Sequence, residues 1–328
     1  MEKLLKVRDL KTSFYIDSKL VPVIENINFD LYKGEIVALV GESGSGKSVT
    51  SLSVLNAISA EAGLIESGMV EFEGRDVLKL KRKELQKIWG NDISMIFQEP
   101  MTALNPVYTI GKQVAEMFRI HERCSKKEAR KKALELLQSV GIPSADKRFD
   151  QYPHQMSGGI RQRVMIAMAI ACRPKLIIAD EPTTALDVSM QSQILALMKS
   201  INKDYDTTIL LITHDLGVVA AIADRVMVMY AGQLVEHNDV DTLFNNPKHP
   251  YTKGLISSVS SLDLGEESLA VIEGMVPRAS EFKSGCHFYE RCPVAMKHCE
   301  YEKPETEKFG NGEYKCFCKE HVRGEKLA

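Results

Sequence analysis

Gly41-Glu42-Ser43-Gly44-Ser45-Gly46-Lys47-Ser48 is the stretch that decides the fold, because it matches the pattern G-x-x-x-x-G-K-[ST]. The apolar run Ile36–Val40 before it predicts a buried strand, and a helical pattern begins at Lys47. Glycines let a backbone curl around phosphates with its N–H groups pointing inward. Lys47 can then reach the β- and γ-phosphates of a nucleotide, and Ser48 can bind Mg²⁺. The stretch predicts a nucleotide site between a strand and a helix, whose N-terminus favours anions.

Further apolar runs extend this unit into an α/β fold. They lie at 93–97, 176–179, 208–212 and 226–229, and helical patterns separate them. Strands that alternate with helices indicate a mostly parallel sheet. A charged helical block at about 105–165, which contains the capping-box pattern Ser125-Lys-Lys-Glu128, predicts a helical subdomain inserted into the sheet domain.

An acidic pair supplies the second half of the predicted nucleotide site. Asp180 ends an apolar strand pattern, where it can hold Mg²⁺ through water, and Glu181 follows it and can polarise the attacking water. Burying such a pair is costly unless cations compensate it, and a metal nucleotide does so. Residues 202–205 lack the final aspartate of a guanine-reading Asn-Lys-x-Asp motif, so ATP is favoured over GTP.

Composition narrows the class of protein. Apolar residues make up 44% of the 328 residues and charged residues 26%, as in ordinary globular proteins. The net charge of −2 gives no electrostatic drive toward nucleic acid, so none is expected as a partner. No apolar run approaches the ~18 residues of a membrane span, and the charged N-terminus lacks a signal-peptide core. We therefore expect a cytosolic chain.

Met156-Ser157-Gly158-Gly159-Ile160, placed before a helical pattern, resembles the signature motif of ATP-binding cassette (ABC) proteins. In that family a partner cassette supplies this loop, so that two ATP molecules are sandwiched head to tail. Leucine and glutamine are commonest where this chain has Met156 and Ile160, but the serine and both glycines are intact. The resemblance implies a P-loop ATP-binding cassette fold and a second cassette, identical or related, as partner.

Other family elements follow in the expected order. Gln98 matches the glutamine loop, residues 184–187 match the loop that touches the opposite site, and His214 matches the switch histidine. The resemblance implies catalytic roles for Lys47, Gln98, Glu181 and His214, and Mg²⁺ binding by Ser48, Gln98 and Asp180. It implies nucleotide contacts by Phe14 (with Tyr15 as an alternative), Gly41, Ser43, Gly44, Ser45, Gly46, Lys47, Ser48, Val49, Gln98, Asp180, Ser157, Gly158, Gly159 and Asp187.

Residues 97–106, 109–111 and 246–252 narrow the resemblance to the ATPases of dipeptide, oligopeptide and nickel importers. It implies ATP hydrolysis coupled to import of a small solute, most simply di- or oligopeptides, at the cytoplasmic face of the membrane. The implied partners are a membrane permease and, indirectly, an extracytoplasmic solute-binding protein.

The candidate permease contacts are Met101, Leu104, Val107 and Tyr108, which otherwise pack on the helical subdomain. Alternatives are nickel import, a soluble cassette ATPase of DNA repair or translation, and a P-loop kinase. The segment His249-Pro-Tyr251 belongs to this match, and the sequence is equally consistent with a role specific to the family and with an ordinary surface turn.

The C-terminal region changes in character, and we predict a cassette domain at 1–260 and a separate cysteine-rich domain at 261–328. Five of the seven cysteines lie there, as Cys286-x5-Cys292-x6-Cys299-x16-Cys316 and Cys318. In a reducing cytosol such clustering suggests metal more than disulfides, yet the paired Cys-x2-Cys knuckles of zinc sites are missing. The resemblance implies a [4Fe–4S] cluster on Cys286, Cys292, Cys299 and Cys316, or Cys318 in place of Cys316. Zinc, and free or disulfide-bonded thiols, are the alternatives.

Overall fold

A computed structural model describes residues 2–184, 186–264 and 272–318, with side chains of the helix ending at Leu264 described as far as residue 258. No helix in these ranges is long and apolar enough to cross a membrane. The strands are β1 (Lys3–Ile16), β2 (Lys19–Tyr32), β3 (Ile36–Val40), β4 (Gly63–Phe72), β5 (Arg75–Asp76), β6 (Ile93–Ile96), β7 (Leu176–Asp180), β8 (Thr208–Thr213), β9 (Arg225–Tyr230), β10 (Gln233–Asp239), β11 (Thr306–Phe309) and β12 (Gly312–Lys315). The helices are α1 (Lys47–Val54), α2 (Arg82–Ile88), α3 (Pro100–Ala103), α4 (Ile110–His121), α5 (Lys126–Ser139), α6 (Ala145–Arg148), α7 (Gly158–Ile170), α8 (Val188–Tyr205), α9 (Leu216–Ile222), α10 (Val240–Asn245) and α11 (Pro250–Leu264).

The chain forms two compact units, and the first comprises residues 1–4, 31–36 and 79–212. Strands β6, β7 and β8 are neighbours in parallel pairing, with Ile93 opposite Leu176 and Leu176 opposite Thr208. Every residue of β7 and β8 is buried, as expected for parallel strands covered on both faces. The sequence-based prediction of these strands is confirmed within two residues at each end.

Helices α4, α5 and α7 pack against one another in this unit, in the region predicted as a helical subdomain. Helix α4 is amphipathic and buries an apolar stripe formed by Ile110, Val114 and Phe118. Helix α5 begins as its capping pattern predicts, because the Ser125 hydroxyl accepts the backbone N–H of Glu128 at 3.3 Å.

The second unit comprises residues 5–30, 37–78 and 213–328. One of its sheets has the strand order β2-β1-β4-β5, with β1 and β4 antiparallel. In the other, β3 pairs in parallel with β9, and β10 pairs antiparallel with β9 and with β12, which also pairs with β11. The C-terminal residues therefore extend a sheet of the cassette.

The core of the second unit joins the cassette to the C-terminal region. Tyr230, Tyr251 and Phe288 form its centre, with ring centroids 4.6 to 5.5 Å apart. Cys286 and Cys292 pack against the same cluster of buried side chains. The domain boundary predicted near residue 260 falls within α11, and independent folding of residues 261–328 stays a prediction.

Candidate functional site

The phosphate loop, residues 41–48, connects β3 to α1 in the second unit. Its backbone is left-handed at Gly44 (φ +81°) and Gly46 (φ +102°), conformations that favour glycine. Gly46 is the N-cap residue of α1 and has no side chain with which to cap the helix. The first turn of α1 contains no acidic residue. The first N–H groups of α1 can therefore bind an anion, which the helix dipole further favours.

Two side chains of the loop fit a bound phosphate. The Lys47 ammonium group is buried and donates to the carbonyl oxygens of Gly41 at 2.8 Å and Glu42 at 2.9 Å. The Ser45 hydroxyl is buried, and it has no hydrogen-bond partner among the residues that the structure describes. A buried hydroxyl costs free energy unless a partner satisfies it. The loop therefore has both a cation and a donor suited to a nucleotide phosphate, while Ser43 and Ser48 are exposed.

The other site residues predicted for this unit are partly accessible. Phe14 and Val49 are half-buried, and Tyr15 is 53% exposed. His214 is exposed and lies just before α9, whose N-cap Asp215 accepts the N–H groups of Gly217 and Val218. Their roles toward a nucleotide stay predictions.

In the first unit, Gln98 and Glu181 are brought together although 83 residues separate them. The Gln98 amide donates to Glu181 Oε2 at 3.1 Å, and the Thr184 hydroxyl donates to the same oxygen at 2.8 Å. The contact from Thr184 was not anticipated from the sequence. Glu181 has a left-handed backbone (φ +46°), and its N–H donates to the carbonyl of Ile212. Backbone strain of this kind in a non-glycine residue is concentrated at functional sites. Asp180, at the end of β7, is buried.

The signature loop lies at the start of α7. Ser157 is its N-cap residue, does not cap the helix with its side chain, and is exposed together with Gly158. A Cβ added at Gly159 would meet the Met190 side chain at 2.7 Å, whereas one at Gly158 would meet no described atom within 4 Å. The helix start is thus open to an anion supplied from outside the chain.

Asp187 makes a structural contact that its sequence context does not predict. Its carboxylate caps α8 by accepting the backbone N–H of Met190 at 2.8 Å. Ala185, in the same predicted loop, lies outside the described residues. Contact of Asp187 with an opposite site stays a prediction.

The candidate permease contacts divide into two kinds. Met101, Val107 and Tyr108 are more than half exposed, so they are available to a partner. Leu104 is buried and packs within the chain, so it is not available as a surface contact.

The C-terminal cysteines converge on one pocket. Cys286, Cys292, Cys299, Cys316 and Cys318 all line it, together with His249 and apolar side chains. Burial raises the pKa of the Cys286 thiol to about 11 and that of the Cys316 thiol to about 12. Thiols in such surroundings stay protonated at neutral pH unless a bound cation stabilises the thiolate.

The arrangement of the cysteines does not by itself form a metal site. Among the described residues, no group of three or more His, Cys, Asp or Glu side chains is placed to hold a metal ion. Cys316 and Cys318 both follow β12 rather than lying on it, and the Cys318 N–H lies 3.4 Å from Cys316 Sγ. The donor chemistry nevertheless fits a soft metal, because thiols are gathered in an apolar pocket.

The segment His249-Pro-Tyr251 is not a surface turn. His249 and Tyr251 are buried, with 1% and 0% of their surface exposed. The backbone N–H groups of Lys248 and His249 both donate to the buried carboxylate of Glu236. The surface-turn interpretation is therefore wrong, and this segment anchors α11 to β10.

Comparisons with known proteins agree with these features. Residues 24–184 match the family model of the ABC transporter, and residues 235–299 match that of the oligopeptide/dipeptide transporter C-terminal region. The chain is 50% identical over 327 residues to the oligopeptide transport ATP-binding protein AppD of Bacillus subtilis, covering 99% of both chains. It is 53% identical over 296 residues to OppD of the same organism, another oligopeptide transport ATP-binding protein, covering 90% of this chain and 83% of the relative.

A solved structure shares the fold. The ATP-binding cassette MJ0796, described as a dimer in a post-hydrolysis state bound to ADP and Pi, aligns with a TM-score of 0.65 and 28% identity. The alignment covers 72% of this chain and 99% of MJ0796. Taken with the phosphate loop, the signature loop and the Gln98–Glu181 contact, these matches show that the chain belongs to the ABC transporter family, among the ATP-binding proteins of oligopeptide and dipeptide transporters.

Proposed function

We propose that this chain hydrolyses ATP to drive the import of di- or oligopeptides through a membrane permease. The observation that carries the proposal is the combination, in one chain, of an ABC cassette with the C-terminal region of oligopeptide/dipeptide transporters. The two relatives named above are both oligopeptide transport ATP-binding proteins, which disfavours DNA repair or translation. Nickel import is the alternative cargo.

The residues of the chain divide the catalytic work. Lys47 exchanges its two backbone acceptors for the phosphates, and Ser48, Gln98 and Asp180 are the candidate Mg²⁺ ligands. Bound Mg²⁺ would neutralise phosphate charge. Glu181 orients and deprotonates the attacking water, and its hydrogen bonds from Gln98 and Thr184 hold the carboxylate in place. His214 contacts the γ-phosphate, and Phe14 stacks on the adenine.

A second cassette completes each site. Ser157, Gly158 and Gly159 would bind the nucleotide of the partner cassette, because the exposed start of α7 offers N–H groups that no side chain caps. We propose that ATP closes the pair and that hydrolysis opens it. The exposed side chains of Met101, Val107 and Tyr108 would carry this movement to the permease at the cytoplasmic face of the membrane.

Transport in reconstituted vesicles tests the cargo. The chain would be reconstituted with the permease subunits and the solute-binding protein of its transporter, and uptake of a labelled dipeptide, a labelled pentapeptide and Ni²⁺ would be compared. We expect ATP-dependent peptide uptake that Lys47→Ala abolishes. Uptake of Ni²⁺ alone would replace the peptide proposal with nickel import, and ATPase activity that responds to DNA or ribosomes instead would refute import.

We further propose that Cys286, Cys292, Cys299 and Cys316, or Cys318 in its place, hold a [4Fe–4S] cluster. The convergence of five thiols on one apolar pocket supports this proposal, and zinc is the alternative. Protein purified without oxygen or chelator would be assayed for its visible spectrum, iron, sulfide and zinc. About four irons and four sulfides per chain are expected for this cluster. One zinc in a colourless protein would replace it with a zinc site, and metal-free protein would refute both.

A further inference from the structure

Glu42, the second residue of the phosphate loop, is held at three points. Its backbone N–H donates to the Tyr251 hydroxyl at 2.9 Å, and its carbonyl oxygen accepts from Lys47 at 2.9 Å. Its carboxylate accepts from the Arg291 guanidinium, at 3.2 Å for Oε1 and 3.0 Å for Oε2. Arg291 comes from the C-terminal region and Tyr251 from α11, which leads into it; both lie more than 200 residues further along the chain than Glu42.

Arg291 is itself rigidly placed. Its side chain is 7% exposed, and its remaining donors reach the carbonyl oxygens of Glu273 at 2.9 Å and Ile272 at 3.1 Å. The guanidinium also contacts the Tyr230 hydroxyl at 3.4 Å. A planar guanidinium whose N–H groups are hydrogen-bonded in several directions is fixed in position and stays charged. Lysine could not make the same set of hydrogen bonds.

Tyr251 reaches the loop from the buried aromatic centre of the same unit. Its ring packs on Tyr230 and Phe288, and the side chain is fully buried. Burial and the nearby Glu42 carboxylate raise the pKa of the Tyr251 hydroxyl, so it remains protonated and neutral. Its lone pair accepts the Glu42 N–H without adding negative charge next to the phosphate site.

We propose that Arg291 and Tyr251 are positioning residues for nucleotide binding, through which the C-terminal region and the start of α11 hold the phosphate loop by way of Glu42. Arg291 neutralises a carboxylate that would otherwise repel nucleotide phosphates, and Tyr251 fixes the peptide whose carbonyl holds Lys47. The proposal rests on the proposed function, because it assumes that residues 41–48 bind the phosphates. It assigns the C-terminal region a part in ATP affinity.

Charge and geometry make separate predictions. Without Arg291, the Glu42 carboxylate is an unpaired negative charge in the phosphate loop, so we expect the affinity for nucleotide to fall. Removing the carboxylate as well should restore that affinity. Without the Tyr251 hydroxyl, the Glu42 N–H loses its acceptor, and a change at the carboxylate cannot replace it.

Calorimetric titration with Mg–ADP, which is not hydrolysed, tests the proposal on the full chain. We expect Arg291→Ala to raise the dissociation constant about tenfold, within the usual range of coupling between sites. Arg291→Ala/Glu42→Gln should return to within about threefold of wild type, and Tyr251→Phe should raise the constant about threefold with no rescue by Glu42→Gln.

Lys283→Ala is the matched control, because Lys283 forms an ion pair with Glu290 in the same region and has no contact with Glu42. Urea unfolding would establish that each variant is folded. Unchanged affinity in folded Arg291→Ala, or no rescue by Glu42→Gln, would overturn the proposal and show that Arg291 only tethers the C-terminal region. Failure of wild type to bind Mg–ADP would instead refute the proposed function.

Discussion

At the scale of single residues, Glu181 is the general base of the proposed mechanism, and its carboxylate is held by neighbours in the first unit. Its left-handed backbone turns the chain just after β7, and two donors meet at one of its carboxylate oxygens. If Glu181 acts as the proposed base, a carboxylate held in this way needs no further ordering when the water attacks.

We predict that Glu181→Gln binds Mg–ATP with near wild-type affinity and hydrolyses it at least about 100-fold more slowly, the usual contribution of a general base. Phosphate release and nucleotide binding would be measured together. Glu135→Gln, an exposed change in α5, is the control and should leave both unchanged. Wild-type turnover in Glu181→Gln would remove Glu181 from the catalytic role.

His249 is a residue whose burial makes stability depend on pH. Desolvation lowers the pKa of His249 from 6.5 to about 3, and its Nδ1 accepts the backbone N–H of Tyr251 at 3.1 Å. Below pH 6.5, His249 therefore becomes protonated in the unfolded chain but stays neutral in the folded chain. The stability that the neutral, buried His249 contributes is fully present above pH 6.5 and is lost as the pH falls.

We predict that the free energy of unfolding falls by up to about 1.4 kcal/mol per pH unit at this group between pH 6 and pH 4. Urea unfolding across that range would measure it. His249→Asn keeps an acceptor but cannot titrate. The slope of its unfolding free energy against pH should therefore be smaller than that of wild type by the equivalent of about one proton. Parallel profiles for the two proteins would contradict the prediction.

At the scale of elements, the hairpin of β11 and β12 joins the C-terminal region to the cassette. β12 pairs with β10, with His237 opposite Glu313 and Glu236 opposite Tyr314. Gly312 begins β12, and a Cβ added there would clash with the carbonyl oxygen of His237. This close approach leaves no room for a side chain.

We predict that Gly312→Ala destabilises the protein by about 2 kcal/mol, the usual cost of overpacking. If the C-terminal region unfolds together with the rest of the second unit, the whole unfolding transition should shift to a lower urea concentration. An independent domain at 261–328 would instead give a separate transition at a still lower urea concentration. Circular dichroism would follow the transition, with Lys308→Ala in β11 as the control. No shift in this signal would show that the strand pairing contributes no stability.

At the scale of the whole molecule, the nucleotide site of the proposed mechanism needs a second chain. The exposed signature loop offers an anion site that its own chain does not fill with a side-chain cap. The matched cassette MJ0796 is described as dimeric in its solved structure.

We predict that Glu181→Gln dimerises on addition of Mg–ATP, and that Glu181→Gln/Gly158→Asp stays monomeric while still binding ATP. Gly158 has room for a side chain, so the fold should survive, but a carboxylate at the start of α7 repels the partner's phosphates. Light scattering after size exclusion would measure the mass. Gly158→Ala is the control and should dimerise; a dimer of the aspartate variant would refute the sandwich arrangement.

Short-range patterns in the amino-acid sequence were enough to predict several elements of this protein. The phosphate loop, the apolar strands, the cap at Ser125 and the signature loop each occupy a short stretch, because backbone hydrogen bonding and side-chain periodicity act between near neighbours. Recognition of the family followed from the order of such stretches, and the comparisons confirmed it.

The contacts between residues far apart in the chain depend on the packed structure. Gln98 and Glu181 lie 83 positions apart, and Glu42 and Arg291 lie 249 apart, so no local pattern could pair them. The same holds for His249: the sequence was equally consistent with a surface turn, whereas the structure buries it against Phe288, with its backbone N–H donating to Glu236 of β10. Burial and charge pairing are properties of the packed chain, since they depend on which elements share a core rather than on the spacing between residues.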